Sequence, residues 1–134
     1  MKKILILFGF CILLTGCFST DGRFEEEERK EDIYKTISVE EVKKITDNYS
    51  KHLDTDIIDL RDEEDFAKGH IVGAMNIPLI YIDEIIISAD QRIILYCDSS
   101  FCNEQAVEIL HELGYEKVFV MGNIDSWPYE LVDY

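Results

Sequence analysis

Apolar residues in this chain fall into two kinds of block. Short, near-continuous runs rich in β-branched residues alternate with longer stretches in which apolar positions recur every three or four residues. The first pattern predicts buried strands and the second amphipathic helices. Asp56–Leu60, Ala74–Ile77, Ile93–Tyr96 and Lys117–Met121 are the strand candidates; Pro78 pushes the end of the second toward extended backbone. Ser38-Val39-Glu40-Glu41 is a capping box, so a helix is expected to about Asp47 with Val39, Val42 and Ile45 on its inner face. Asp62 to Phe66 predicts a helical turn that Gly69 breaks. Residues 81–88 (YIDEIIIS) are ambiguous, their acidic interruptions favouring a helix packed on a sheet face. A helix beginning near Asn103 carries Ala106, Val107, Ile109, Leu110 and Leu113 on one face, and Gly114 can end it in the left-handed conformation. Gly122-Asn123 reads as a turn before a last short helix around Trp127. Strands alternating with helices, the strands apolar throughout, predict a parallel sheet covered on both faces.

The residues before Thr36 follow another logic. Lys2 and Lys3 precede an apolar run of about 11 residues and the tetrad Leu14-Thr15-Gly16-Cys17, the parts of a secretory signal. The run is shorter than the roughly 20 residues a membrane span needs. The tetrad resembles the lipobox of bacterial lipoproteins. That resemblance implies cleavage before Cys17, a diacylglyceryl group on its sulfur and usually a fatty acyl chain such as palmitate on the new amine. Residues 1–16 are then a signal peptide, 17–35 a lipid-anchored acidic tether extended by like charges, and 36–134 the folded domain. The expected location is exported and membrane-anchored through Cys17, on the outer face of a cytoplasmic membrane or in the outer membrane of a two-membrane bacterium. Each buried methylene contributes about 0.8 kcal/mol to such an anchor.

The 134 residues allow one domain beyond that leader. Losing Lys2 and Lys3 takes the formal net charge from −15 to −17. This argues against nucleic acid as a partner and against electrostatic adhesion to anionic lipid. With Cys11 in the signal and Cys17 lipidated, Cys97 and Cys102 are the remaining thiols, in surroundings where disulfides can persist.

Those two cysteines carry the chemistry. Cys97 ends an apolar strand, a short loop follows (Asp98, Ser99, Ser100, Phe101), and a helix begins near Asn103. Helix-terminal N–H groups and the positive end of the helix dipole favour a thiolate there. Such a thiolate could be a nucleophile, a persulfide carrier or half of a disulfide with Cys102. Two cysteines with no histidine nearby leave a zinc site half-filled, so neither a metal nor a cofactor is expected.

The segments IIDLRDEEDFAKGHIVGAMNIPL and RIILYCDSSFCNEQAVEILHELGYEKVFVMGNIDSW resemble the two halves of a rhodanese domain. The resemblance spans about residues 36–131. It implies an α/β domain with a central parallel sheet of about five strands, flanked by helices on both faces. It also implies that Cys97 holds a persulfide, taking sulfane sulfur from a small donor and passing it to a thiophile such as a thiol. Asp59 and Arg61 would lie at a strand end beneath the loop in structural roles. His70 would be a turn histidine bonded to backbone, and Trp127 a packing anchor. Many active rhodaneses place an arginine right after the cysteine and another at the end of the loop, where this chain has Asp98 and Cys102. A carboxylate beside the sulfur opposes an anionic donor, which speaks against thiosulfate-to-cyanide turnover. The related phosphatases need a longer loop ending in arginine, which is absent here. A loop folded into a half circle could bring Cys97 and Cys102 within the roughly 4.4–6.8 Å between Cα atoms that a disulfide needs. Three readings follow: sulfur transfer through Cys97 with Cys102 as resolving thiol, a thiol–disulfide redox protein working with a thiol-redox partner, and a non-catalytic binding module.

Overall fold

The computed structural model describes residues 34–134. The signal, the lipobox, Cys17 and all but the last two residues of the expected tether lie outside the described residues. Within them, Lys35–Thr36 forms β1, Val39–Asp47 α1, Thr55–Asp59 β2, Glu63–Lys68 α2 and Met75–Asn76 β3. Arg92–Cys97 forms β4, Ser100–Glu112 α3 and Val118–Asn123 β5. Short 3-10 helices occupy Tyr49–Lys51, Leu79–Glu84 and Ile124–Ser126. The five strands pair in the order β1-β5-β4-β2-β3, every pair parallel.

β4 is the middle strand, and its composition explains why. Every residue from Ile93 to Cys97 is buried, so the strand needs cover on both faces. Side chains alternate across a strand. Ile93, Leu95 and Cys97 accordingly pack with Ala106, Val107 and Leu110 of α3 and with Ile82. Ile94 and Tyr96 pack on the other side with Val42 and Ile45 of α1, Phe66 of α2, and Trp127. Each valine, leucine, isoleucine or phenylalanine among these stabilises the fold by about 1.5–3 kcal/mol. Ser38 caps α1 by accepting a hydrogen bond from the Glu41 N–H at 3.1 Å. Gly114, at φ +91°, ends α3 with its own N–H bonded to His111 and that of Tyr115 bonded to Leu110, returning the chain toward β5.

The structure differs from the sequence reading in four places. Gly122-Asn123, read as a turn, forms the end of β5, where the two residues pair with Tyr96 and Cys97. Lys35, assigned to the tether, pairs with Phe119 as part of β1. Residues 81–88 do not form an α-helix: a 3-10 segment runs from Leu79 to Glu84 with Ile82 fully buried and Leu79, Ile85 and Ile87 packed half-buried against the core, while Ile86 is exposed. Half-buried Ile85 and Ile87 alternate with exposed Glu84, Ile86 and Ser88, a period of two that an α-helix does not present. α3 starts at Ser100, three residues earlier than expected, because Ser99 is its cap.

Candidate active site

A parallel sheet collects the C-terminal ends of its strands on one edge, and β4 carries Cys97 there. Its neighbours are fixed by register: Tyr96 lies opposite Asp59 of β2, and Cys97 opposite Asn123 of β5. The β4–β5 register slips by one residue, from Leu95↔Val120 to Tyr96↔Gly122. The extra residue is a bulge, and Gly122 absorbs it at φ +109°.

The bulge matters for the loop. The carbonyl of Gly122 accepts a hydrogen bond from Asn103 Nδ2 at 3.2 Å, and the same nitrogen donates to the Ser99 carbonyl at 3.1 Å. Asn103, only 2 % exposed, thus ties the start of α3 to both the loop and β5, while its Oδ1 has no partner among the described residues. Ser99 is extended, and its hydroxyl accepts from the Cys102 N–H at 3.3 Å. The Asn103 N–H bonds to the Ser99 carbonyl at 3.4 Å. These bonds fold the loop into one tight turn. The Cα atoms of Cys97 and Cys102 are 6.2 Å apart and their sulfurs are joined in a disulfide.

The rest of the loop faces solvent. Ser100 is exposed and Phe101 is 67 % exposed. Asp98 is exposed too, with Oδ1 3.5 Å from Cys97 Sγ. A disulfide sulfur carries no proton, so this is a contact between a carboxylate and the sulfur and not a hydrogen bond.

The polar residues at the end of β2 do something else. Asp59 is fully buried and takes the Arg61 guanidinium at 2.6 Å, its Nε at 3.0 Å and its backbone N–H at 2.9 Å. Arg61 also donates to the Gly69 carbonyl at 2.7 Å. Partial burial disfavours the charge on Arg61, but the hydrogen bonds to Asp59 and the attraction of its carboxylate outweigh this and keep the pKa raised. The guanidinium lies 5.9 Å from the Tyr96 ring. Tyr96 points away from the face that carries Cys97, so this cation does not serve the sulfur. Tyr96 itself is held far above its ordinary pKa by burial and by Asp59, and its hydroxyl accepts from the Ile71 N–H at 3.2 Å. Nδ1 of the buried His70 lies 2.9 Å from the Phe66 carbonyl, and its backbone pairs with Val132. Trp127 is buried in the core beneath α1.

The fold therefore brings Cys97, Asp98, Ser99, Cys102 and Asn103 together, and leaves Asp59, Arg61 and His70 as a separate buried support. Sequence reasoning missed Asn76, whose Nδ2 bridges the carbonyls of Asp59 and Arg61 at 3.2 and 2.8 Å. Its signals were its place in a short strand before Pro78 and in the segment that resembles a rhodanese domain, neither of which gave it a role.

The family model for the rhodanese-like domain matches residues 38–128. The chain is 32 % identical over 98 residues to the uncharacterized protein YqhL of Bacillus subtilis, covering 71 % of this chain and 73 % of that protein. It is 37 % identical over 71 residues to thiosulfate sulfurtransferase PspE of Escherichia coli, covering 50 % and 68 % respectively. Among solved structures, a rhodanese-related protein from Thermoplasma volcanium superposes with a TM-score of 0.60 at 27 % identity, over 74 % of this chain and 98 % of that one.

Proposed function

The chain belongs to the rhodanese-like family, and we propose that it moves sulfane sulfur through Cys97, with Cys102 as the thiol that discharges it. The observation that carries this reading is the placement of Cys102 within bonding reach of Cys97 across a single capped turn. In the reduced protein the Cys97 thiolate attacks the outer sulfur of a persulfide donor. The donor's inner sulfur leaves as a thiolate, and Cys97 holds a persulfide. The Cys102 thiolate then attacks the inner sulfur of that persulfide. Hydrogen sulfide departs with the bonding pair, and the Cys97–Cys102 disulfide forms. A dithiol partner supplies two electrons and two protons to reopen it. The N-terminus of α3 supports the anionic sulfur at each stage.

Relatives named thiosulfate sulfurtransferases support the reaction class. The Asp98 carboxylate favours a donor with little negative charge. Two like charges 4 Å apart in water repel by about 1 kcal/mol, so a dianion such as thiosulfate loses about 2 kcal/mol, a factor of about 30. Organic persulfides fit better. The bonded pair also favours a second reading, thiol–disulfide exchange without sulfane sulfur. Intact mass separates the two. Reduced Cys102→Ser protein treated with a neutral alkyl persulfide should gain one sulfur, and Cys97→Ser should gain none. No gain on the Cys102→Ser variant would sink the sulfur-transfer reading.

The same reading places the domain on a membrane through Cys17. Its support is the sequence of the N-terminus, and its check is incorporation of labelled fatty acid in a bacterial host, lost in Cys17→Ser.

A further inference from the structure

We infer that the reduced loop is a site for a zinc-class divalent cation, with Cys97, Asp98 and Cys102 as its three protein ligands. Two cysteines alone make half a site, and the fold supplies the missing member. The two sulfurs and a carboxylate oxygen of Asp98 all lie within 4.8 Å of one another.

The spacing fits the metal. Zinc bonds to sulfur at about 2.3 Å and to carboxylate oxygen at about 2.1 Å in a tetrahedron. That geometry puts sulfur and oxygen about 3.6 Å apart and the two sulfurs about 3.8 Å apart. Asp98 Oδ1 already stands 3.5 Å from Cys97 Sγ. Once the disulfide is reduced, the sulfurs need only relax to non-bonded contact. Cα atoms 6.2 Å apart permit this by rotation of the two side chains.

The chemistry fits as well. Thiolates are soft ligands that suit zinc and cadmium, whereas magnesium and calcium prefer oxygen. Three protein ligands leave the fourth position open to water, as in zinc sites that are not purely structural. Two thiolates and a carboxylate around a divalent ion leave a net negative charge, which the N-terminus of α3 favours. Among the described residues no basic side chain is ion-paired with Asp98, so its carboxylate needs no partner displaced.

Metal binding is coupled to redox state. A dithiol first reduces the disulfide, giving two electrons and two protons and leaving as its own disulfide. The ion then displaces one proton from each thiol, and the carboxylate binds as it stands. The oxidised loop has no thiolates to offer. A bound ion holds both thiols reduced and keeps them from sulfane sulfur, so metal and sulfur donor compete for the same atoms. The site stands whether or not the sulfur-transfer reading does.

The test is a titration of the full chain carrying Cys11→Ser and Cys17→Ser, which leaves Cys97 and Cys102 as its two cysteines, reduced and mixed with cadmium under anaerobic conditions in a phosphine reductant. Expected are one ion per chain, two protons released per ion, and the ultraviolet thiolate-to-cadmium absorption. Oxidised protein should show none of these. Asp98→Ala should weaken binding roughly tenfold or more, since even residues that only support metal ligands change affinity by about 10–100-fold. Asp98 is exposed, so this variant keeps the fold. Binding as tight in Asp98→Ala as in the parent chain would reduce the site to a bare dithiol and overturn the inference. So would absence of one-to-one binding by the reduced parent chain at roughly micromolar metal.

Discussion

Replacing Arg61 by alanine isolates the buried ion pair at the end of β2. The substitution strands the fully buried Asp59 carboxylate, which keeps the backbone N–H of residue 61 and the neighbouring Tyr96 hydroxyl but loses its counter-charge. It also takes the guanidinium away from the Gly69 carbonyl. Removing one partner of a buried pair costs about 3–5 kcal/mol, because the charge that remains has lost water and gained nothing. For a domain of this size each kcal/mol is worth roughly 4–8 °C in midpoint, so the expected fall is at least about 12 °C. Urea denaturation of wild type, Arg61→Ala, Asp59→Asn and the double variant Asp59→Asn/Arg61→Ala completes the cycle. The double variant should recover much of the loss, since removing both charges leaves no unpaired ion. The reduced form of Arg61→Ala, below its transition, should still alkylate Cys97 at close to the wild-type rate, because the guanidinium lies on the Tyr96 side of the sheet. A loss below about 1 kcal/mol would place the pair with solvent-screened surface bridges and refute the argument.

Two further outcomes follow from the same geometry. Reducing the Cys97–Cys102 disulfide should lower stability by about 2 kcal/mol, the chain-entropy value for so short a loop, read as a shift in urea midpoint with unchanged slope. An unchanged midpoint would mean that the loop is equally constrained in the unfolded chain. Burial raises the pKa of Asp56, so the folded protein holds its proton more tightly than the unfolded chain does. Folding is then favoured at low pH, and that advantage is lost as pH rises from the unfolded value, about 3.9, through the folded one. Asp56→Asn should therefore stabilise the protein at pH 7 and make little difference near pH 3; a destabilised variant at pH 7 would contradict this.

Much of this fold is legible in the sequence because burial dictates pattern. β2 and β4 read as strands since Ile57-Ile58 and Ile93-Ile94-Leu95 must be covered on both faces, and α3 reads as a helix from Ala106, Val107 and Leu110. β1 was not legible as a strand. Both its residues are exposed, and backbone pairing with Phe119 and Val120 makes it one. The position of Cys97 follows from strand logic alone. The early start of α3 depends on Ser99 acting as a cap, which local composition allows but does not require. The tie from Asn103 to Gly122 spans 19 residues and depends on a bulge between β4 and β5, so no local pattern announces it. Asp98 stood in plain sight as a charge. Its approach to the sulfur required the turn to be built.

The central claim is that Cys97 accepts sulfur and Cys102 releases it, and stoichiometry tests that most directly. Reduced wild-type protein, freed of reductant, is mixed with one equivalent of a neutral alkyl persulfide. Hydrogen sulfide and protein thiols are then counted in the same sample. The account predicts one sulfide released for each Cys97–Cys102 disulfide formed, with no sulfide from Cys97→Ser and a stable persulfide in Cys102→Ser. Disulfide without sulfide, or sulfide released while both thiols stay free, would contradict it.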